Sequence, residues 1–354
     1  MAMKTIGLVF EPLDTLFFRD GRPFGTGLPG ESSLPSPQTL AGVVRTFLLD
    51  RENGDFAAMR NKRHPREAFA AAGAAWLADV CFRGPWLAEL GQDGPRPLLR
   101  APADLRFVDG GVVRLLPKAQ KIPGWQPPID GMYPLWSTGG KPSKNRPELL
   151  SFEGLAAYLH NRVIQAHHVR GHAEFFLLED RTGVVIDSAT YTSKEGEIYS
   201  TRNLRLKPGV VFYAEADVSD DKIGYFEAPA TVGWGGERHH AIMRRVAPVV
   251  WPESPGHDRT SLLLLSPAFF TKGWQPDLVP EGQLRSAAVD GPYAISGWDL
   301  ARGGPKPTRF GVDAGSVYFI EGPTPTARSL GTDPEDAALG YGFFVKGSWN
   351  YASE

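Results

Sequence analysis

Apolar positions along this chain gather in short, strand-sized runs separated by stretches rich in glycine and proline. Lys4 to Phe10 predicts a first strand. The apolar run that continues through Phe17 and Phe18 breaks at Arg19-Asp20-Gly21-Arg22, where Asp-Gly is strong turn chemistry. Residues 25–37 then read as a Gly/Pro/Ser loop. A helix follows, with Ser36 as N-cap and Pro37 at its first position. Leu40, Val43, Val44, Phe47 and Leu48 recur at helical spacing and make one buried stripe. Gly42 interrupts that helix at a cost of roughly 1 kcal/mol against alanine. A close approach to a sheet or ligand would justify it; a tolerated defect is the plain alternative.

Downstream, Glu67 to Leu77 is Ala-rich and predicts a helix. Strand patterns follow at Val80 to Arg83, Leu98 to Arg100 and Val112 to Leu116, then a short helix at Leu149 to Val163. Phe175 to Leu178, Val184 to Ile186 and Val210 to Ala216 predict further strands. The remainder is dominated by strands, at Ala241 to Val250, Ser261 to Leu265, Val317 to Glu321 and Phe343 to Lys346. Many strands with few helices indicate an α+β fold and not a doubly wound parallel sheet. The change of character places a domain boundary near 205–220, giving modules over 1–210 and 211–354. No repeat of solenoid period is present.

Composition narrows the class. With 354 residues, 42% of them hydrophobic, the chain can bury two cores of ordinary size. The 40 glycines and 31 prolines favour turns and structured loops. A net charge of -2 gives no global basic footprint, so any nucleic-acid surface must come from local clustering. The single cysteine, Cys81, excludes an internal disulfide and fits a reducing compartment; between Val80 and Phe82 it reads as a small buried hydrophobe. Apolar runs such as Leu262 to Leu265 are too short to span a membrane, and the start of the chain lacks a signal pattern. The expectation is a soluble, cytoplasmic protein that makes no membrane contact.

Candidate chemistry lies in loops. Arg19 and Arg22 flank a tight turn, a placement suited to bidentate phosphate binding or, equally, to a solvated hairpin tip. From 114 to 147 an insert carries Arg114, Lys118, Lys121, Lys141, Lys144 and Arg146 against a single acid, Asp130, with Trp125, Tyr133 and Trp136 among them. Cations interleaved with aromatics supply phosphate neutralisation and stacking faces for single-stranded nucleic acid. The alternative is a surface loop whose aromatics pin it to its own domain. Gly233-Trp234-Gly235-Gly236-Glu237-Arg238 allows close approach of backbone N–H groups to an anion, followed at once by a cation; His239, His240, Arg244 and Arg245 extend the positive edge. It has neither Walker nor GxGxxG spacing, and a tight structural turn is the other reading. Lys306 to Arg309, with Arg302 before them, form a basic loop, and Gly340-Tyr341-Gly342 leads toward Lys346 and Trp349. His160, His167, His168 and His172 are clustered, but their spacing matches no zinc motif. No catalytic triad or carboxylate cluster is marked, so no metal or cofactor is expected.

Four segments carry a resemblance. They are Leu13 to Phe24 (LDTLFFRDGRPF); Leu34-Pro35-Ser36-Pro37 through Gly42 to Arg45; Arg181 to Asp187 with Glu195 to Tyr199; and Gly235-Gly236-Glu237-Arg238 with Gly340-Tyr341-Gly342. In these the chain resembles the RAMP-superfamily subunit of type III-B CRISPR (Cmr) effector complexes that caps the 5′ end of the guide RNA. The resemblance implies two ferredoxin-like (RRM-like) modules with glycine-rich loops facing RNA. It implies a non-catalytic role in antiviral defence: binding the crRNA 5′ tag and docking onto the large polymerase-like subunit and a backbone RAMP subunit, with target RNA met only indirectly. No RNP motif of the RRM type is present, so tag recognition would use loops.

The residues expected at RNA are Arg19, Arg22, Lys118, Lys121, Trp125, Trp136, Gly235, Gly236, Arg238, Lys306, Arg309, Gly340, Gly342 and Lys346. Two other readings stand beside this one. A metal-independent RAMP endoribonuclease would use a histidine such as His168 or His239 to process precursor crRNA. A β-rich sugar-binding protein would use the nine tryptophans as stacking faces.

Overall fold

The first predicted strand forms over Met3–Pro12, and both of its neighbours come from far along the chain. Val210–Ser219 runs antiparallel on one side, setting Ile6 opposite Ala216 and Phe10 opposite Phe212. His240–Val246 runs antiparallel on the other, setting Phe10 opposite Met243. The computed structural model describes residues 2–18, 30–60, 62, 64–120, 122–137, 140–186, 190, 192–254, 258–280, 282–299 and 304–353.

The chain divides into two units, each built from three separated segments. The first unit comprises Met1–Pro85, Phe175–Ala247 and Ala294–Arg309; the second comprises Trp86–Glu174, Pro248–Tyr293 and Phe310–Glu354. The division expected between 210 and 211 therefore falls inside the first unit. Interleaved segments leave no break in composition for a linear reading to find.

In the first unit the main sheet runs in the order 81–85, Val210–Ser219, Met3–Pro12, His240–Val246, Ala230–Gly233. Its apolar face carries Ile6, Leu8, Phe10, Phe212 and Ala214, all buried. Helix α1 spans Pro37–Arg51 and buries Leu40, Val43, Val44, Phe47 and Leu48, the stripe read from the sequence. Ser36 stands at the N-cap in an extended conformation, but its hydroxyl pairs with Thr39 Oγ1 at 2.9 Å and caps no backbone N–H. The opposite face of the sheet is polar and still buried. There Arg83 donates to Glu215 at 2.7 Å and to Asp217 at 3.1 Å, while Tyr213 donates to Glu215 at 2.8 Å. The two short strands expected near 175–186 are one, Phe176–Ile186, paired with a long polar strand, Ser193–Leu206, that the apolar pattern does not show. Two of the buried residues on that strand, Thr201 and Asn203, are polar, so its burial writes no apolar alternation.

The second unit centres on a four-stranded sheet in the order Leu284–Ala288, Val317–Glu321, Arg259–Leu264, Phe344–Ser348. Leu262, Leu264, Tyr318, Ile320, Leu330 and Phe344 form its core, which Met132 of the insert joins. A helix over Phe152–Leu159 packs on the last strand so closely that a Cβ at Gly347 would stand 2.9 Å from Leu159 Cα. The sheets are mostly antiparallel and the helices few, consistent with the α+β class the sequence indicates.

Arg114 opens the basic insert in sequence yet belongs to this core. Its Nε donates to Asp104 at 2.8 Å, its Nη1 to the Ser348 carbonyl at 3.2 Å, and its guanidinium lies 4.0 Å from the Tyr158 ring centroid. Tyr158 donates its hydroxyl to both oxygens of Asp104, which is 0% exposed. Burial pushes the Asp104 carboxyl upward and the Arg114 charge opposes that shift.

Two outcomes follow for stability. Arg114→Ala leaves a buried carboxylate without its cation and should destabilise the protein by about 3–5 kcal/mol in a urea titration; a loss below about 1 kcal/mol would contradict the placement. Gly42→Ala should do the reverse. A Cβ there meets nothing within 4 Å, so the glycine is a tolerated defect, and alanine should stabilise by about 0.5–1 kcal/mol in the same assay.

Candidate nucleic-acid interface

The segment after the first strand is held before it reaches Arg19. Leu13 N–H donates to the His240 carbonyl at 3.1 Å, and Leu16 and Leu204 exchange backbone hydrogen bonds at 2.8 Å. Phe18 N–H donates to Ser32 Oγ at 2.9 Å, and Ser33 N–H donates back to the Phe18 carbonyl at 2.9 Å. These bonds tie residue 18 to residues 32–33 and form a neck. Arg19 and Arg22 belong to the stretch that leaves from it and lie outside the described residues, as does Lys121 of the insert.

The glycine motif closes on the same neck. Gly236 N–H donates to the Phe17 carbonyl at 2.8 Å, and Gly235, at φ +87°, comes so near that a Cβ would stand 2.6 Å from that oxygen. The sequence assigned these glycines to close RNA approach; the contact that requires them is with Phe17. Trp234 turns inward, its ring centroid 4.7 Å from that of Phe10 and 5.1 Å from that of Phe18. The turn itself is Gly236-Glu237-Arg238-His239, closed by His239 N–H to the Gly236 carbonyl at 3.3 Å. Glu237 and Arg238 both have positive φ, 55° and 56°, the pattern of a type I′ hairpin turn normally filled by Asn-Gly. A side chain costs roughly 1–2 kcal/mol at each such position. Arg238 is exposed, and no ion pair holds it among the described residues.

Beside the neck stands a ring of four charges that the sequence did not announce. Asp14 accepts from Arg181 at 2.7 Å and from Arg205 at 2.8 Å, and Glu179 accepts from the same two guanidiniums. The Arg181 guanidinium holds the Asp14 carboxyl below its ordinary range, and Arg205 does the same for Glu179. Asp14 and Arg181 stood out only as parts of resembling segments. The signal for the ring is the period-2 spacing of Glu179 and Arg181 on one strand, with Arg205 on its partner. His239 sits 3.4 Å by Nε2 from the Asn203 amide; burial first, then the Arg181 charge, push its pKa down.

Other expected residues fall elsewhere. In the first unit, Lys306 N–H donates to the Gly297 carbonyl at 2.7 Å and Gln38 Nε2 to the Ser296 carbonyl at 2.8 Å, so this basic loop is tethered at the start of α1. Arg309 ends that segment, exposed. In the second unit, Lys118 Nζ lies 4.9 Å from the Trp136 ring centroid, and Trp125 and Trp136 are 37% and 42% exposed. Lys346 is half-buried within a sheet strand opposite Leu262. Gly340 and Gly342 are interior. Gly340 ends the Pro334–Leu339 helix at φ 100°, and a Cβ on Gly342 would stand 2.4 Å from Ser329 Oγ. Their conformational freedom serves the fold, and they lie buried where an RNA-facing loop was expected. Arg146 of the insert is bound to Asp290.

Of the four clustered histidines, His167 and His168 meet edge to face, their ring centroids 4.3 Å apart, while the others face separate partners. His160 Nδ1 faces the Ala156 carbonyl, His168 Nδ1 faces Gln165 N–H, and His172 faces Glu148. Among the described residues no group of three or more His, Cys, Asp or Glu side chains could hold a metal ion, and no helix is long and apolar enough to cross a membrane.

Comparison with known proteins adds the family. The family described as CRISPR-associated protein (Cas_Cmr3) matches residues 8–349. No curated protein matches the sequence. A chain in a cryo-EM structure of the type III-B Cmr-beta bound to cognate target RNA and AMPPnP is 18% identical, with a TM-score of 0.53, over 88% of this chain and 86% of that one. A chain in a second, bound to cognate target RNA, is 17% identical with a TM-score of 0.52, over 89% and 86%. At such identities the likeness is one of fold.

The turn makes a testable demand. Arg238→Gly removes the strain of a side chain at positive φ and should stabilise the protein by about 1 kcal/mol in chemical denaturation. A destabilised variant would mean that Arg238 supports the fold by a contact of its own.

Proposed function

The chain belongs to the Cas_Cmr3 family of CRISPR-associated proteins, and on that premise we propose that it is a non-catalytic, RNA-binding subunit of a type III-B CRISPR effector complex. It caps the 5′ tag of the crRNA and docks against the large polymerase-like subunit and a backbone RAMP subunit. The observation that carries this reading is the turn at Glu237-Arg238, bound to the neck of the Arg19–Arg22 stretch through Phe17. A guanidinium without an ion-pair partner among the described residues, kept in a costly conformation, suits bidentate phosphate contact. Phosphates held there would set the register of the tag, and splayed bases would be read on their edges.

The strand orders support the module assignment. Numbered along the chain, the first unit's strands 3–12, 81–85, 210–219 and 240–246 lie in the sheet as second, third, first, fourth. The strands 259–264, 284–288, 317–321 and 344–348 of the second unit repeat that order. That order agrees with a ferredoxin-like sheet, and we read both units as ferredoxin-like modules, each keeping one regular helix of the two. In the first unit α1 follows the first strand, and a 3-10 turn at Asp220–Phe226 stands where the second helix would be. In the second unit the Pro334–Leu339 helix precedes the last strand.

The experiment is binding of a labelled 5′-tag RNA beside a scrambled RNA of equal length, across a salt series. The wild-type chain should prefer the tag, and the preference should persist as salt rises. Arg19→Ala and Arg238→Gly should each lose roughly tenfold in tag affinity while keeping their fold. Precursor RNA incubated with the protein in EDTA should stay intact. Sequence-blind binding unchanged in both variants, or metal-independent cleavage lost on His239→Ala, would overturn the reading.

A further inference from the structure

The insert over residues 114–147 is built to present, and not to bury, two of its aromatics. Its frame is a two-stranded ladder with Leu116 opposite Trp136 and Pro117 opposite Leu135. The frame is tied down on two sides. Tyr133 N–H donates to the Arg285 carbonyl at 2.6 Å, and the Tyr133 carbonyl accepts from Ser286 Oγ at 2.8 Å, so the insert covers an edge strand of the four-stranded sheet. Ala352 N–H donates to the Pro117 carbonyl at 2.9 Å. The pinning is done by Met132, 7% exposed within the core, by Ile129 against it, and by Tyr133 edge-on to Tyr351. Trp136 and Trp125 take no part in it and remain 42% and 37% exposed.

Charge says what would cover them. The insert's two arginines are committed, Arg114 to Asp104 and Arg146 to Asp290. Lys141 and Lys144 are exposed, Asp130 is the only acid of the insert, and Lys118 stands against the face of Trp136. An indole with an ammonium beside it, on an ordered frame with surplus positive charge, offers the two things an unpaired nucleotide needs. A protein partner would have to be acidic and to leave those lysines paired.

We propose that the insert is a second RNA platform, which holds unpaired nucleotides without regard to sequence, with Trp136 as the stacking face and Lys118 as its phosphate charge. This deepens the reading of the chain as an RNA-binding subunit and rests on it. The turn at Arg238 gives register; the insert gives sequence-blind grip.

The probe is a fluorescein-labelled ten-residue oligouridylate, titrated with the full-length protein at two salt concentrations. Trp136→Ala should weaken binding roughly tenfold at both salts, and Trp136→Phe should retain most of it. Lys118→Gln should lower the slope of log affinity against log salt by about one. Arg238→Gly separates the two proposals: it should lose tag preference and keep oligouridylate binding. A folded Trp136→Ala protein that binds oligouridylate like wild type overturns the platform, whether or not tag preference survives. Release of an acidic protein partner by that variant, with oligouridylate binding unchanged, overturns it in favour of a protein contact. A wild-type chain that binds neither RNA sinks the RNA-binding reading itself.

Discussion

Everything in the first unit depends on one strand being paired on both sides by segments more than two hundred residues away, as in the Thr5–Asp217 contact with its sequence separation of 212. Closing so long a loop is entropically costly, although the cost grows only with the logarithm of its length. Part of the excursion between, Trp86–Glu174, belongs to the second unit, so some of that entropy is lost in folding that unit. The pairing also decides where chemistry can sit. Pro12 lies opposite Ala241, so the chain leaving the first strand and the turn entering the fourth emerge at the same end of the sheet. The neck at Phe17–Phe18 and the turn at Arg238 are together for that reason, and the missing side chains of Gly235 and Gly236 let them touch.

A net charge near zero conceals three different uses of arginine. Arg83 and Arg114 are internal, each neutralising carboxylates that folding has taken out of water. Removing either is costly because the partner stays buried, not because the pair contributes much. Arg181 and Arg205 are half-exposed and knit the Asp14 segment to the long hairpin, a ring whose strength lies in geometry and shared partners. Arg238 is the third kind, exposed on a backbone that resists it. Counting cations in a window cannot separate these uses, and the insert shows it: its six basic residues include two that serve the fold.

The legible parts of the sequence were those where a single burial surface writes a period. Helix α1 was readable because a stripe of five apolar residues, a proline at its start and an extended residue before it all point one way. The Ser193–Leu206 strand was not readable: its sequence is polar and matches neither template, and buried Thr201 and Asn203 are themselves polar. The two units were hidden for a topological reason, since each is closed by strands drawn from separate stretches. The glycine motif was legible as a turn but not as a constraint. Nothing in the letters says that Phe17, two hundred residues earlier, fills the space the glycines leave.

The two basic surfaces differ in what binding would cost them. At the neck, backbone bonds at Phe17, Phe18, Ser32 and Ser33 already order the support, and the strain at Glu237-Arg238 has been met by folding. An anion arriving there meets a planar donor on a backbone that the turn has already fixed. Such a site discriminates by geometry. Lysines on the insert are flexible point charges, and an indole accepts any base, so that surface discriminates little while adding grip that salt weakens. On this reading the chain holds RNA by division of labour: rigidity where register is decided, tolerance where only retention is needed. The arginine at the strained turn is therefore the residue for which lysine is the poorest substitute.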